Sequence, residues 1–410
     1  MVYQSQTYGL GLLTLNYPFL NRFLQNVEGW FLVVGIISSN FASGEIKQTM
    51  VAFALYRLPY ANEYVRVVQH EGQVEELNTY TELNGRAGFV MAPFSVSVNE
   101  PILLMHPDET SIHDVDTEAQ VPANVTDETE LQGDESERRK ERERYAVDFA
   151  NFHTHVQNHT FRKIVLARCK QLSKPEEVNV EQLFIRTCQL YPRMFVALVS
   201  MPQSGTWLMA TPEILLEGNG SIWHTMALAG TMKLREDQMD FDIPFGDASK
   251  KIAWSAKDIE EQRFVATYIN EAIEQFTYDY TEKGPYTCRA GSLVHLRSDF
   301  SFTLPENGKL GSFLNRLHPT PAVCGLPKED VRSFILKNEC SPRRYYSGFS
   351  GMLNPDGETH LYVSLRCMEI LSNRYILHAG GGLMSDSTEE KEWEETEAKM
   401  ETMLQVIGYK

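Results

Sequence analysis

The chain has 410 residues, of which 42 % are hydrophobic and 23 % charged, so it carries ample apolar material for a sizeable core and sits among ordinary globular proteins. A formal charge of −17 argues against nonspecific nucleic-acid binding, which needs clustered Lys and Arg, although it leaves room for a small anionic ligand held by a local positive field. The six cysteines show neither a CxxC pair nor zinc spacing, which excludes a disulfide framework and suits reduced thiols in the cytoplasm.

At the N-terminus no basic region precedes an apolar core and cleavage site. The longest apolar run, Trp30 to Ile37, is far too short to span a bilayer, so no membrane association and a cytoplasmic location are expected. From Leu10 to about His106 come short β-rich runs, such as Trp30-Phe31-Leu32-Val33-Val34 and Gly88-Phe89-Val90-Met91, broken by Gly, Asn and Pro. Between Pro107 and Arg144 the composition turns acidic and then basic, which suits an exposed connection running into a helix whose buried face carries Tyr145, Phe149 and Phe152. Residues 1–144 are therefore set apart as a β-rich N-terminal part, with the exposed connection at 107–144, from a second part at 145–410.

In that second part the pattern sharpens. Strands are predicted at Lys163–Arg168, Phe195–Val199 and Leu361–Arg366, and a helix from Asp258 to Phe276 with Ile259, Phe264, Tyr268, Ile273 and Phe276 facing inward. Strands interleaved with helices, without a βαβ beat or a GxGxxG turn, indicate an α+β fold rather than a doubly wound sheet. Near the C-terminus, Gly380-Gly381-Gly382 precedes a segment in which Trp393, Met400, Met403, Leu404 and Ile407 recur at helical spacing beside Glu392, Glu395 and Lys399. A glycine run permits close backbone approach, and carboxylates at i and i+3 share a helix face, so an anionic ligand meeting a hard metal ion is one reading; a solvated acidic face is the other.

Several segments, in order, decide between these. They are Lys163-Ile-Val-Leu-Ala-Arg168, Ala210-Thr-Pro-Glu213, Ala227-Leu-Ala-Gly-Thr231, Lys257-Asp-Ile-Glu-Glu261, Val294-His-Leu296, Leu317 through Gly325, Glu339 through Arg343 to Gly348, Val363-Ser-Leu-Arg366, and Ala379-Gly-Gly-Gly382 leading to Glu394-Glu-Thr396 and Lys399. Together they resemble the chorismate-utilising enzymes, within them the isochorismate synthases, over roughly the C-terminal two-thirds of the chain. The resemblance implies antiparallel β-sheets packed face to face with helices outside, and makes 145–410 the chorismate-binding catalytic part.

The implied reaction adds water at C2 of chorismate while the C4 hydroxyl leaves, with Mg2+ on the ring carboxylate and an outlet in menaquinone or siderophore synthesis. Lys163 falls at the general-base position; an amine is a base only when neutral, which burial or nearby positive charge favours. Glu213 falls at the general-acid position, where an apolar or anionic surround should raise its pKa. Metal ligation falls to Glu261 and Glu395, with Asp258 and Glu392 as further candidates. Arg366, on a predicted strand, and Tyr346 match the positions that bind the pyruvyl carboxylate, with Gly380 and Gly382 bringing N–H groups to the same anion. Gly230 and Thr231 line the ring pocket, and His295 stands beside the site of attack.

Ala229 occupies the place where a covalent route would put a nucleophilic lysine, which leaves water or ammonia as the nucleophile. Anthranilate synthase component I, salicylate synthase and a noncatalytic ligand-binding relative are the alternatives, and no obligatory amidotransferase partner is expected. The sequence departs from the family pattern at Gln262, where histidine is frequent, at Arg344, where glycine is common, and in a Gly-Gly-Gly run where Gly-Ala-Gly is usual.

Overall fold

The computed structural model describes residues 51–115, 135–175, 178–233, 253–290 and 293–409, and all of them fall in one compact unit spanning 49–410. The predicted strand at Trp30–Val34 lies outside the described residues. The first six strands are β1 (Ala52–Arg57), β2 (Glu63–Gln69), β3 (Glu75–Leu77), β4 (Gly88–Ala92), β5 (Ile102–Met105) and β6 (Glu109–Asp114). After them, α1 (Glu135–Gln157) leads to β7 (Lys163–Ser173), α2 (Val180–Leu190), β8 (Phe195–Met201), β9 (Gly205–Thr211), β10 (Ile214–Gly218) and β11 (Trp223–Lys233). Next come α3 (Ala256–Ile273), β12 (Tyr280–Ala290), β13 (Leu293–Phe302), α4 (Leu310–Leu317), β14 (Gly325–Leu326) and α5 (Lys328–Asn338). The chain finishes with β15 (Phe349–Leu353), β16 (Thr359–Val363), β17 (Cys367–Ile370), β18 (Arg374–Leu383) and α6 (Glu389–Val406).

Two nine-stranded sheets result, in the orders β14-β7-β18-β17-β9-β8-β1-β2-β6 and β12-β13-β11-β10-β16-β15-β4-β5-β3. Neighbouring strands pair antiparallel throughout, from β18 on β7 to β13 on β11. The sheets meet face to face over an aromatic-rich core of Tyr56, Phe89, Phe195, Trp207, Tyr345 and Tyr362. Phe195 and Tyr362 stack across it at 4.2 Å, a contact worth about 0.5–1.5 kcal/mol beyond its buried area. Helices cover the outer faces. α3 and α4 bury Val265, Ile269, Phe313 and Leu317 against the second sheet, and α2 and α6 bury Phe184, Met400 and Met403 against the first. The α+β arrangement expected from the sequence is the one observed.

Local differences have physical causes. The α1 helix already includes the basic run Arg138–Arg144, and the acidic stretch before it contains an exposed strand, β6, whose charged residues suit its place at the edge of the first sheet among the described residues. Ile259 is 46 % exposed, because the buried stripe of α3 runs through Val265, Tyr268, Ile269 and Ile273 instead. The strand predicted through Arg366 ends at Val363. The next three residues cross from the second sheet to the first, and that crossing sets the position of Arg366.

Candidate active site

Two such crossings lie side by side. Pro212 and Glu213 link β9 in the first sheet to β10 in the second, and Ser364 to Arg366 link β16 back to β17. They are stitched together by the Val363 N–H donating to the Glu213 carbonyl at 3.0 Å and the Ala210 N–H donating to the Arg366 carbonyl at 3.2 Å. Both side chains therefore enter the gap between the sheets, and both line one cleft with Gly230, Thr231, Glu261, His295, Tyr346, Gly380, Gly382, Glu395 and Lys399.

Glu213 is 3 % exposed. Burial drives its pKa up to about 8, against the opposing pull of Lys163, Lys399 and Arg366. The carboxyl is thus protonated at neutral pH and able to donate. Lys163, fully buried at the start of β7, lies 2.7 Å from Glu261 Oε1 and has no other polar partner among the described residues. Burial raises the pKa of Glu261, but the Lys163 ammonium and its short contact outweigh this, so Glu261 is held below the usual carboxylate range.

Both candidate carboxylates on α6 also face a lysine. Glu392 Oε1 accepts from Lys257 at 2.5 Å, and Glu395 Oε1 accepts from Lys399 at 2.7 Å while the same ammonium donates to the Gly380 carbonyl at 2.9 Å. Glu392 is 1 % exposed, so it belongs to the interior and not to a solvated acidic face. Burial and the neighbouring Glu395 raise its pKa. Asp258 sits apart: it accepts from the Ser255 hydroxyl at 2.6 Å in the capping box at the start of α3. The donor set is carboxylate oxygen throughout, and Glu392 Oε2 is buried without a hydrogen-bond partner among the described residues; both features fit a hard divalent cation. Among the described residues no three acidic, His or Cys side chains converge into a preformed metal cage.

The glycine run explains how these pairs come so close. Along β18, a Cβ on Gly382 would lie 2.4 Å from Glu261 Oε1 and 2.8 Å from Lys163 Cε, one on Gly381 would lie 2.9 Å from Glu392 Oε2, and one on Gly380 would lie 3.0 Å from the Tyr346 hydroxyl. The strand threads between the Lys163–Glu261 pair and the α6 carboxylates because it has no side chains there.

At the other end of the cleft, Arg366 is 7 % exposed and has no carboxylate ion pair among the described residues. Its guanidinium donates to the Ala290 carbonyl at 2.9 Å and to His295 Nε2 at 2.7 Å. Burial lowers its pKa to about 10, and its backbone sits at φ 45°, a conformation forced by the crossing. Since a guanidinium only donates and a carbonyl only accepts, the His295 Nδ1–H must donate to the Gly230 carbonyl at 2.9 Å, which makes this imidazole neutral. Burial, then Arg366 and Lys399, hold its pKa well below the usual value, in agreement. The Gly230 carbonyl is available because a β-bulge between Ala229 and Thr231 puts Gly230 at φ 66°; the Thr231 hydroxyl lies 3.4 Å from the same His295 nitrogen.

The departures from the family pattern are accommodated. Gln262 is buried and donates to the Ala227 carbonyl and the Ser298 hydroxyl, tying α3 to the second sheet. Arg344 has φ 51°, which accounts for a glycine being common there, and it is held by Glu369 and the Ser204 carbonyl. Sequence reasoning gave no role to Lys257, whose partner lies far along the chain, or to His378. Lys399 was legible as the i+4 partner of Glu395. Glu339 and Arg343 form a buried ion pair just beyond the end of α5. Arg343 donates to the Val165 and Val323 carbonyls, both on the cleft wall.

The chain matches the family described as chorismate binding enzyme over residues 99–408. Isochorismate synthase DhbC of Bacillus subtilis is 31 % identical over 258 residues, covering 61 % of this chain and 64 % of that protein. Isochorismate synthase EntC of Escherichia coli is 26 % identical over 247 residues, covering 60 % of this chain and 62 % of that protein. The matched region is thus just under two thirds of the length of either relative. Among solved structures, a 2,3-dihydroxybenzoate-specific isochorismate synthase, DhbC of Bacillus anthracis, superposes with a TM-score of 0.72 at 21 % identity, over 88 % of this chain and 97 % of that one. The menaquinone-specific isochorismate synthase MenF of Escherichia coli gives 0.69 at 21 % identity, over 88 % and 89 %. These two likenesses establish the fold. Among the described residues no helix is long and apolar enough to cross a membrane.

Proposed function

Since this chain belongs to the chorismate binding enzyme family, we propose that it converts chorismate to isochorismate in the cleft between the two sheets. The observation that carries the reading is Glu213, a carboxylic acid raised to about 8 in the cleft beside which Lys163 is buried. In the reaction, water forms a bond to C2 as Lys163 takes its proton, a role open only to the neutral amine, so the ammonium paired with Glu261 must first have given up its own proton. The C4–oxygen bond breaks as Glu213 passes a proton to the departing hydroxyl, which leaves as water. Neither residue forms a covalent bond to the ring, and Ala229 offers no amine to do so.

Arg366, held in orientation by neutral His295 and without a carboxylate ion pair among the described residues, presents its positive charge to the substrate's side-chain carboxylate, with Tyr346 lining the same cleft. Glu261, Glu395 and Glu392 would hold Mg2+, which when bound neutralises the ring carboxylate and draws electron density from the ring. Asp258 contributes through the helix cap. With water as nucleophile, no amidotransferase partner is required. The product would serve menaquinone or siderophore synthesis; the Escherichia coli relative of solved structure is menaquinone-specific.

The test is to incubate the purified chain with chorismate and Mg2+, with and without ammonium, and to resolve the products by chromatography. Isochorismate formed in both conditions is the expected outcome. Anthranilate appearing only with ammonium, salicylate as the main product, or no turnover would each overturn the reading.

A further inference from the structure

His378 lies on β18, two and four residues before Gly380 and Gly382, so strand alternation puts it on the same face as the two glycines that border the cleft. Its ring lines the cleft wall and is 5 % exposed. It is sandwiched between Trp207 and Tyr346, at 5.4 Å from each and within 26° and 17° of parallel. This stack fixes the ring plane. On its polar edge, Nε2 is buried and lacks a hydrogen-bond partner among the described residues.

A buried polar atom without a partner costs about 1–3 kcal/mol, and a purely structural filler of this slot would be served better by a phenyl ring. Burial, with Arg344 and Arg343 adding to it, takes the pKa of the ring down to about 3, so it is a neutral imidazole. A neutral imidazole can place one N–H on an anion without adding a charge that would itself have to be balanced.

We propose that His378 is an additional substrate contact, its Nε2–H donating to the anionic side-chain group of the substrate that Tyr346 and Arg366 also face. This rests on the reading above, that chorismate occupies the cleft. The imidazole would then act in binding and not in proton transfer. Its removal should raise the dissociation constant and KM while leaving kcat nearly unchanged.

The experiment uses the full chain with chorismate and compares wild type, His378→Phe, which keeps the aromatic sandwich, and His378→Gln, which restores a donor. Chorismate affinity by calorimetry, steady-state kinetics, melting temperature and the 15N imidazole spectrum are measured for each. The expected result is a Kd about ten-fold higher in H378F at unchanged or higher melting temperature, which is about 1.4 kcal/mol, with kcat within about three-fold of wild type and partial recovery in H378Q. In the wild type, the imidazole resonance absent from the H378F spectrum should move on adding chorismate. Wild-type affinity in H378F, a stationary resonance, or equal losses in both variants accompanied by lower melting temperature would each overturn the proposal. If H378F binds like a wild type that makes isochorismate, only this proposal fails; if the wild type does not bind chorismate, the reading beneath it fails as well.

Discussion

Replacing Gly382 by alanine is the smallest perturbation that addresses the reacting groups directly. The added Cβ would stand 2.4 Å from Glu261 Oε1 and 2.8 Å from Lys163 Cε. To restore ordinary contact near 3.4 Å the carboxylate must retreat by about 1 Å, and it cannot do so freely because it is held at 2.7 Å from the Lys163 ammonium. The lysine is fully buried and cannot follow into solvent. A displacement of this size at a reacting centre costs on the order of 10²-fold in rate, and overpacking a closed interior costs about 1–3 kcal/mol of stability. Gly381→Ala is the internal control, since its Cβ would meet Glu392 Oε2 at 2.9 Å, a milder approach than 2.4 Å, and stay 3.9 Å from Glu395 Oε1. Measured by isochorismate formation across a Mg2+ titration, G382A should lose about 10²-fold in kcat and G381A much less. A G382A enzyme within about three-fold of wild type would refute the steric reasoning.

Other perturbations test other parts of the cleft. Because Glu213 is protonated below about 8, the rate should fall as pH rises through that value, and Glu213→Gln should remove this limb and lower kcat by about 10²–10⁴-fold. The same shift is a stability statement. A carboxyl whose folded pKa lies above its unfolded value contributes stability that is present below the unfolded pKa, near 4.5, and lost as pH rises through the folded pKa near 8. E213Q should therefore gain in melting temperature relative to wild type as pH goes from 5 to 8, and a constant difference would contradict the assignment. Arg366→Lys keeps the charge but loses the planar fork and the bond to His295, so KM for chorismate should rise about 10–100-fold. Arg168 joins Glu141 on α1, Thr396 and Glu397 on α6, and lies over the Trp393 ring at 3.6 Å. Arg168→Ala should lower the melting temperature and raise the Mg2+ concentration needed for half-maximal rate, because α6 carries Glu392 and Glu395.

Much of the cleft was legible as residue types in order. Lys163, Glu213, Glu261, Arg366 and Glu395 fall in short segments whose sequence identifies them, and alternation or helical spacing alone placed β7, β8 and the apolar stripe of α6. Charge partners separated by long stretches of chain were not legible: Lys257 with Glu392, Lys163 with Glu261, or the pair of crossings that holds Glu213 beside Arg366. The strand expected through Arg366 failed for a related reason. Periodicity in a window describes one sheet at a time, and Arg366 lies where the chain leaves one sheet for the other.

By itself, then, the sequence determined the kind of fold and the chemical inventory of the cleft: an amine, several carboxyl groups, a guanidinium and a glycine run, because residue type and local spacing are properties of neighbours along the chain. Tertiary structure alone decided which of these are charged and what each one faces. Protonation depends on burial and on charges brought close through space, as with Glu213 raised to about 8 and His295 kept neutral by a carbonyl and a guanidinium. No reading along the chain contains those distances.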